Sequence, residues 1–282
     1  MANGTTRKKG ASSKNAMKAA RSSVVSKKGT PWGTIIAVVA IVVLAASVVT
    51  YYMVASAPKR DQKTREENAA AFAPSQQDPD PSKRIAGVTT ATYEGSVHVT
   101  AAERVAYDKT PPFGGPHDQA WAACNGVVYE KAVRNENMVH GLEHGAVWIA
   151  YNPAQISGEA LDLLKVRVEG KPYTVMSPYP NLDKPISLQS WGHQLKLDSA
   201  SDERIDQFIA ALRTNPYGAY PERDATCDAQ IEPGDFDPAP PGPDAKPMDY
   251  KGTAGTQQDQ PGAGQSGMPS APATQPSAPA SK

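Results

Sequence analysis

The strongest hydrophobic pattern in the chain is an unbroken apolar segment at residues 34–54, TIIAVVAIVVLAASVVTYYMV. Its 21 residues include no charged residue, no proline and no glycine. A helix of that length spans about 31 Å, close to the thickness of the hydrocarbon core of a bilayer. Buried helices of soluble proteins are rarely apolar on every face. The pattern therefore predicts one transmembrane helix over residues 34–54.

Residues 85–231 contain shorter patterns typical of a folded domain. SDERIDQFIAALRT and SGEALDLLKVRVEG repeat apolar positions at helical spacing, and the first segment begins with a capping serine and two acidic residues. AVWIAY, KPYTVMS and PISLQSW favour strands bounded by turn residues, and a further strand is expected near residues 95–100. The order of elements predicts an α+β domain in which two helices pack on a small mixed or antiparallel sheet.

The segments on either side of this domain have little apolar periodicity. Residues 55–84 are rich in proline, glutamine and charge, and predict a stalk or linker. Residues 232–282 consist mainly of Pro, Gly, Ala, Ser and Gln, which cannot form a hydrophobic core. This last segment is therefore predicted to be a disordered tail.

Charge is distributed unevenly, although the formal net charge of the 282 residues is zero. Residues 1–33 carry eight basic side chains and no acidic one, and the first acidic residue is Asp61. Positive charge before an apolar helix places that end in the cytoplasm, so this basic, disordered tail predicts a plasma-membrane protein with an extracytoplasmic domain. The acidic remainder argues against nucleic-acid binding. A signal peptide cleaved after Ala57 is the alternative, although the apolar and basic regions are longer than usual.

Two cysteines, Cys124 and Cys227, lie in the predicted outer domain. In an oxidising compartment an even number of cysteines favours a disulfide, which here would close a loop of about 100 residues. Such a loop contributes about 4–5 kcal/mol in the chain-entropy model. The alternative is that Cys124 serves as a thiolate ligand near His117.

The most distinctive chemical motif is His140-Gly141-Leu142-Glu143-His144. It matches the H-x-x-E-H pattern of a class of zinc peptidases, in which both histidines lie on one helical face. Glycines at 141 and 145, together with the strand-forming segment that follows, argue against a helix here. We therefore expect the motif to lie in a turn, which disfavours a peptidase.

A metal site built on turns is the alternative interpretation of the same residues. His117 on a Gly-Pro loop would join His140 and His144, and Glu143, Met138 or Met176 would supply a fourth ligand. Three histidines suit zinc or copper, and a methionine ligand would favour copper. Equally, the histidines could bond only to backbone groups. His98 and His193 are expected to be structural.

Several blocks together resemble the domain-of-unknown-function family 3105: PPFGGPH, CNGVVY, VRNENMVHGLEHGAVWIAYNP, MSPYP, SWG, LKLDSASDERIDQFI and the late Pro-Glu and Cys. The resemblance covers most of residues 90–230. It implies a membrane-anchored extracytoplasmic domain, mainly actinobacterial, without an assigned activity. The family's motif positions fall on His117, Cys124, His140, Glu143 and His144.

Three functions remain open at this point. The first is binding of copper or zinc by His117, His140, His144 and Glu143, without catalysis. The second is a metal-free interaction or structural module, for which the sequence identifies no protein partner. The third is a zinc hydrolase in which Glu143 acts as the base on a zinc-bound water.

Overall fold

The computed structural model describes residues 29, 31–229 and 232–252. Most of the predicted basic tail and the chain after residue 252 lie outside the described residues. The chain divides into two units, Met1–Ser56 and Ala57–Lys282. The first unit contains the whole predicted membrane segment, and the second contains the folded domain.

Helix α1 extends from Trp32 to Ala69 and contains the whole predicted apolar segment. Its length and composition fit both a membrane anchor and a signal sequence. The helix continues past residue 54 because the next residues are mostly Ala, Lys, Arg, Glu and Gln, which are good helix formers. Residues 62–69 pack on the domain, where Gln62 donates to Asp206 at 2.9 Å and Ala69 is buried. This part of the predicted linker is therefore structured.

Six strands form the main sheet in the described part of the chain, in the order β1-β8-β7-β5-β6-β4. Strands β4, β5 and β6 are parallel, whereas β5–β7, β7–β8 and β8–β1 are antiparallel pairs. This sheet confirms the predicted mixed α+β class. The strands are β1 (Thr89–Thr90), β4 (Asn125–Val128), β5 (Val147–Tyr151), β6 (Thr174–Pro178), β7 (Ile186–Ser190) and β8 (His193–Leu197).

A separate parallel pair lies beside the main sheet. Strand β2 (His98–Val99) pairs with β3 (His117–Asp118), and His98 lies opposite His117 in the register. The predicted strand near residues 95–100 is thus present, but it is only two residues long. Its importance is that it places two histidines side by side.

Three helices follow in the described part of the domain: α2 (Asn135–Glu143), α3 (Gly158–Lys165) and α4 (Arg204–Leu212). The amphipathic patterns predicted α3 and α4. The prediction that the H-x-x-E-H residues lie in a turn is wrong for His140 to Glu143, which lie in α2, whereas His144 is the residue that directly follows the helix. Burial of Met138, Val139 and Leu142 outweighs the low helix propensity of Gly141.

The two faces of the sheet bury different hydrophobic clusters. Along β5, Val147, Ile149 and Tyr151 belong to one cluster, whereas Trp148 and Ala150 belong to the other. This alternation follows from the period of two along a strand. Helices α3 and α4 supply the first cluster, and α2 with the Cys124–Cys227 pair supplies the second. The site described below is built on the second face.

A buried ion pair joins the end of α3 to α4. The guanidinium Nε of Arg167 lies 3.1 Å from both carboxylate oxygens of Asp206. Arg167 also donates to the carbonyl groups of Leu163 and Ala200. Each charge has several partners, as burial of charged groups requires.

Residues 232–252, which were predicted to be disordered, contact the domain. The Phe236 ring lies 4.9 Å from the Tyr179 ring, and Val133 and Val105 form bridges with Asp235 and Lys246. This proline-rich segment packs against the domain because the Phe236 ring and a few backbone hydrogen bonds hold it there. The predicted boundary at residue 231 therefore does not mark the end of ordered chain.

Candidate metal centre

Helix α2 places His140 and Glu143 on one face, and His144 follows the last helical residue. Residues three and four apart in a helix lie on the same side. The helix ends because Gly145 adopts a positive φ of 90°. A Cβ at that position would lie 2.7 Å from the ring of Tyr220, so only glycine fits there. The helix thus supplies His140 and Glu143, and its C-terminal cap residue supplies His144.

The β2–β3 pair supplies the other two histidines. The rings of His98 and His117 have centroids 4.9 Å apart, and each lies about as close to His140, at 5.2 and 4.8 Å. The rings of His140 and His144 are 4.6 Å apart. Four of the five histidines of the chain therefore form one contiguous cluster.

Two overlapping sets of side chains have the spacing of metal ligands. One ligand atom each from His98, His117, His140 and Glu143 lies within 4.8 Å of the others. The same limit holds for His140, His144 and Glu222. We call these the inner set and the outer set, and they share His140. An ion about 2 Å from each ligand needs ligand atoms no more than about 4 Å apart, so the more distant atoms of a set would have to move inward on binding.

Backbone carbonyls fix the orientation of three of the imidazoles. The Nδ1 atoms of His117, His140 and His144 lie 2.8, 2.5 and 2.7 Å from the carbonyl oxygens of Gly115, Asp118 and Thr226, respectively. A carbonyl oxygen only accepts, so each Nδ1 must donate a proton. In the neutral ring, Nε2 then carries a lone pair that faces the cluster. Metal-binding histidines are commonly held in this way.

Glu143 is completely buried and faces His117. Its Oε1 accepts from the backbone N–H of Ser96 at 2.6 Å. Its Oε2 lies 2.8 Å from Nε2 of His117, yet neither atom has a hydrogen-bond partner of good geometry. With Nδ1 of His117 protonated, two lone pairs face each other unless a proton or a cation lies nearby.

Electrostatics favours a charged Glu143 and a neutral His140. Burial alone would raise the pKa of Glu143, but the neighbouring His117 lowers it below 4.5. Burial, together with the nearby His117 and His144, holds the pKa of His140 well below 6.5. Burial would also lower the pKa of His117, but Glu143 reverses the effect and raises it. A metal ion requires neutral imidazole and carboxylate, so the shifts at His140 and Glu143 favour a metal, whereas the raised pKa of His117 favours an imidazolium in the metal-free domain.

The disulfide braces the outer side of the cluster. Cys124 and Cys227 are joined, with an S–S distance of 2.01 Å, so Cys124 is not a thiolate ligand. The backbone N–H of Cys124 donates to the carbonyl of Cys227 at 2.9 Å. The adjacent Thr226 carbonyl orients His144, so the disulfide holds the segment that positions this imidazole.

Further side chains support the cluster from outside. Arg134 donates to the carboxylate of Asp118, whose carbonyl orients His140. The indole ring of Trp121 lies 5.2 Å from the His140 ring and 4.8 Å from the His144 ring. These contacts restrict the rotamers of the two helical histidines.

The structure places His117, His140 and Glu143 in the inner set, whereas the fourth predicted ligand, His144, lies in the outer set and shares only His140 with them. Met138 and Met176 lie instead in the two hydrophobic clusters, one on each face of the sheet. His193 is elsewhere, bonded to the Trp191 carbonyl at 2.7 Å and 3.3 Å from Asp80.

Sequence reasoning missed two members of the cluster. His98 was expected to be structural, because it lies in a short alternating segment with no glycine or acidic residue beside it. Glu222 follows the last helix in the segment YPERD, and its Pro-Glu pair was used only as a block of the family resemblance. That block and the Cys124–Cys227 disulfide, which ties the segment to the cluster, are the two signals that could have drawn attention to Glu222.

Comparison with known proteins adds the family and no activity. Neither the curated proteins nor the solved structures give a significant match to the chain. A family model described as "Protein of unknown function (DUF3105)" matches residues 98–229, which include both ligand sets and both cysteines. The predicted resemblance to the DUF3105 family is therefore confirmed over residues 98–229.

Proposed function

We propose that the domain binds one divalent transition-metal ion through His98, His117, His140 and Glu143. The observation that carries this proposal is the buried pair of His117 Nε2 and Glu143 Oε2, 2.8 Å apart and without a satisfactory hydrogen bond. Leaving buried polar atoms unsatisfied is costly. A cation between these atoms would satisfy both lone pairs, and the neutral His140 would complete its coordination.

The donor set favours zinc over copper. Three imidazole nitrogens and one carboxylate oxygen are ligands that tetrahedral zinc commonly uses. The reason for preferring copper was a methionine ligand, and both candidate methionines are buried among hydrophobic side chains. Zinc is therefore the ion we assign, and copper is the competitor to be compared with it.

Metal analysis of the full chain in detergent, without a histidine tag, tests the proposal. We expect one equivalent of zinc per chain after incubation and desalting. The His117→Ala variant should lose more affinity than the roughly 10–100-fold that removal of an outer partner costs. The matched control is His193→Ala, because this buried histidine lies outside both ligand sets.

The competing proposal is a domain without metal, in which protonated His117 and charged Glu143 form a buried ion pair. The raised pKa of His117 supports it. A wild-type chain that retains no zinc or copper, and whose melting temperature neither ion changes, would establish this alternative. Equal zinc affinity in wild type and His117→Ala would also contradict the metal proposal.

A zinc hydrolase gains one supporting observation, because His140 and Glu143 do lie on a helix and His144 directly follows it. Oε1 of Glu143 accepts from the Ser96 N–H, however, and Oε2 lies 2.8 Å from Nε2 of His117, in the position of a ligand to the same ion. A general base needs a free oxygen facing the attacking water. We therefore assign Glu143 as a ligand. A zinc-loaded chain whose activity against ester or peptide substrates disappears in Glu143→Gln would reverse this assignment.

We further propose that α1 anchors the protein in the plasma membrane, with the N-terminus in the cytoplasm and the domain outside. The basic residues before the helix support this orientation, and a disulfide suits an oxidising compartment. Protease added to intact cells should remove a C-terminal epitope and spare an N-terminal one. The intact mass of the purified chain separates an anchor from a signal peptide cleaved after Ala57.

A further inference from the structure

The two ligand sets cannot hold two ions through the residue that they share. The Nδ1 atom of His140 is bonded to the Asp118 carbonyl, which leaves only Nε2 for a metal. A neutral imidazole nitrogen has one lone pair and binds one ion at a time. The inner and outer sets therefore cannot both be complete at the same time.

Each set contains one partly exposed side chain, His98 in the inner set and Glu222 in the outer set, and of these two only Glu222 carries a carboxylate. The side chains of His117 and Glu143 in the inner set are completely buried. In the outer set the side chain of His144 is 3% exposed, whereas that of Glu222 is 23% exposed. Of these four groups Glu222 is the one most accessible to a hydrated ion, and its carboxylate lies 3.2 Å from Nε2 of His144.

A backbone hydrogen bond joins Glu222 of the outer set to Glu143 of the inner set, so the two sets are adjacent. The N–H of Glu222 donates to the carbonyl of Glu143 at 3.1 Å. On the other side of this segment, Thr226 orients His144, and Cys227 is tied to Cys124. An anionic ligand is thus held at the outer edge of a buried ligand cluster.

We propose that Glu222 and His144 form a capture site through which the ion passes to the inner set, with His140 as the ligand common to both positions. This inference rests on the proposed metal binding. The carboxylate of Glu222 attracts the hydrated cation and replaces part of its water. The ion then exchanges Glu222 and His144 for His117, Glu143 and His98 while His140 Nε2 stays bound. No bond other than the metal–ligand bonds changes.

Stopped-flow transfer of zinc from an indicator dye to the metal-free full chain in detergent tests this route. Glu222→Gln removes the charge and keeps the size of the side chain. We expect it to slow uptake by about tenfold or more, the range in which charge accelerates association. Release to a chelator should slow by the same factor, because the final site and its equilibrium affinity are unchanged. Asp224→Asn, in the same segment but outside both sets, is the control.

Two results would overturn the proposal. An unchanged uptake rate in Glu222→Gln would show that the ion enters by another route. Faster release with weaker equilibrium affinity would show that Glu222 belongs to the final ligand set. A wild-type chain that takes up no zinc would instead refute the metal site itself, and with it the capture route.

Discussion

Nε2 of His117 and Oε2 of Glu143 lie 2.8 Å apart between two completely buried side chains. The two residues belong to different elements, because His117 begins the short strand β3 and Glu143 ends helix α2. Their meeting is a product of the fold. It gives the domain either a buried ion pair or two metal ligands, and the two cases differ in their dependence on pH.

When a chelator has removed any metal from the chain, the ion pair of His117 and Glu143 should stabilise the fold most between about pH 4.5 and pH 6.5. Burial by itself would raise the pKa of Glu143 and lower that of His117. The attraction between the two charged groups outweighs burial, so the pKa of Glu143 lies below 4.5 and that of His117 above 6.5. The contribution of Glu143 is complete above its unfolded pKa and is lost as the pH falls through its lowered pKa. The contribution of His117 is complete below its unfolded pKa and is lost as the pH rises through its raised pKa.

Melting temperature measured against pH checks this, with Glu143→Gln as the variant. In the metal-free chain, Glu143→Gln should abolish the decline in stability above pH 6.5 that comes from the pair of His117 and Glu143. With zinc bound, the dependence should reverse, because protons compete with the metal for imidazole and stabilisation by the metal grows as pH rises. Identical profiles with zinc and with chelator would contradict the prediction.

The buried pair of Arg167 and Asp206 should be important for stability. Asp206→Ala leaves the guanidinium of Arg167 buried without its carboxylate, which costs about 3–5 kcal/mol. Asp198→Ala removes an exposed partner of Lys184 and should cost at most about 1 kcal/mol. Urea unfolding of the full chain in detergent, followed by near-ultraviolet circular dichroism, compares the two variants. Equal losses would show that Arg167 finds other compensation.

Gly141, inside the motif, and Gly145, directly after it, should respond differently to substitution by alanine. At Gly145 the positive φ and the Tyr220 ring oppose a Cβ, so Gly145→Ala should destabilise by at least about 1–2 kcal/mol. At Gly141, inside α2, a new Cβ would meet Cys124 Sγ at 3.4 Å, an ordinary contact. Gly141→Ala should therefore be neutral or stabilise by up to about 1 kcal/mol. The same unfolding assay measures both, and a large loss at Gly141 would mean that α2 has no room to adjust.

Loss of the disulfide should weaken both the fold and the metal site. The bond joins residues 103 positions apart, and the chain-entropy model gives such a closure about 4–5 kcal/mol. The Cys124→Ala/Cys227→Ala variant also frees the segment whose Thr226 carbonyl orients His144. We expect a lower urea midpoint and slower zinc uptake. If stability falls but uptake is unchanged, the disulfide does not position His144.

The amino-acid sequence alone determined the elements whose signals are local. The unbroken apolar segment at residues 34–54 predicted part of helix α1, and amphipathic spacing predicted α3 and α4. Alternating or continuous apolar residues predicted β5, β6 and β7. Candidate ligands His117, His140, Glu143 and His144 could be chosen because residue chemistry is visible without a structure.

Tertiary packing decided the remainder. Helix α2 forms despite Gly141, because burial of its apolar face against the sheet exceeds a propensity penalty of about 1 kcal/mol. His98 joins the cluster only through its pairing with His117, and Glu222 only because its segment lies along the end of α2. Contacts between residues far apart in the chain leave no periodic signal. The composition of the site therefore became visible only in the folded domain.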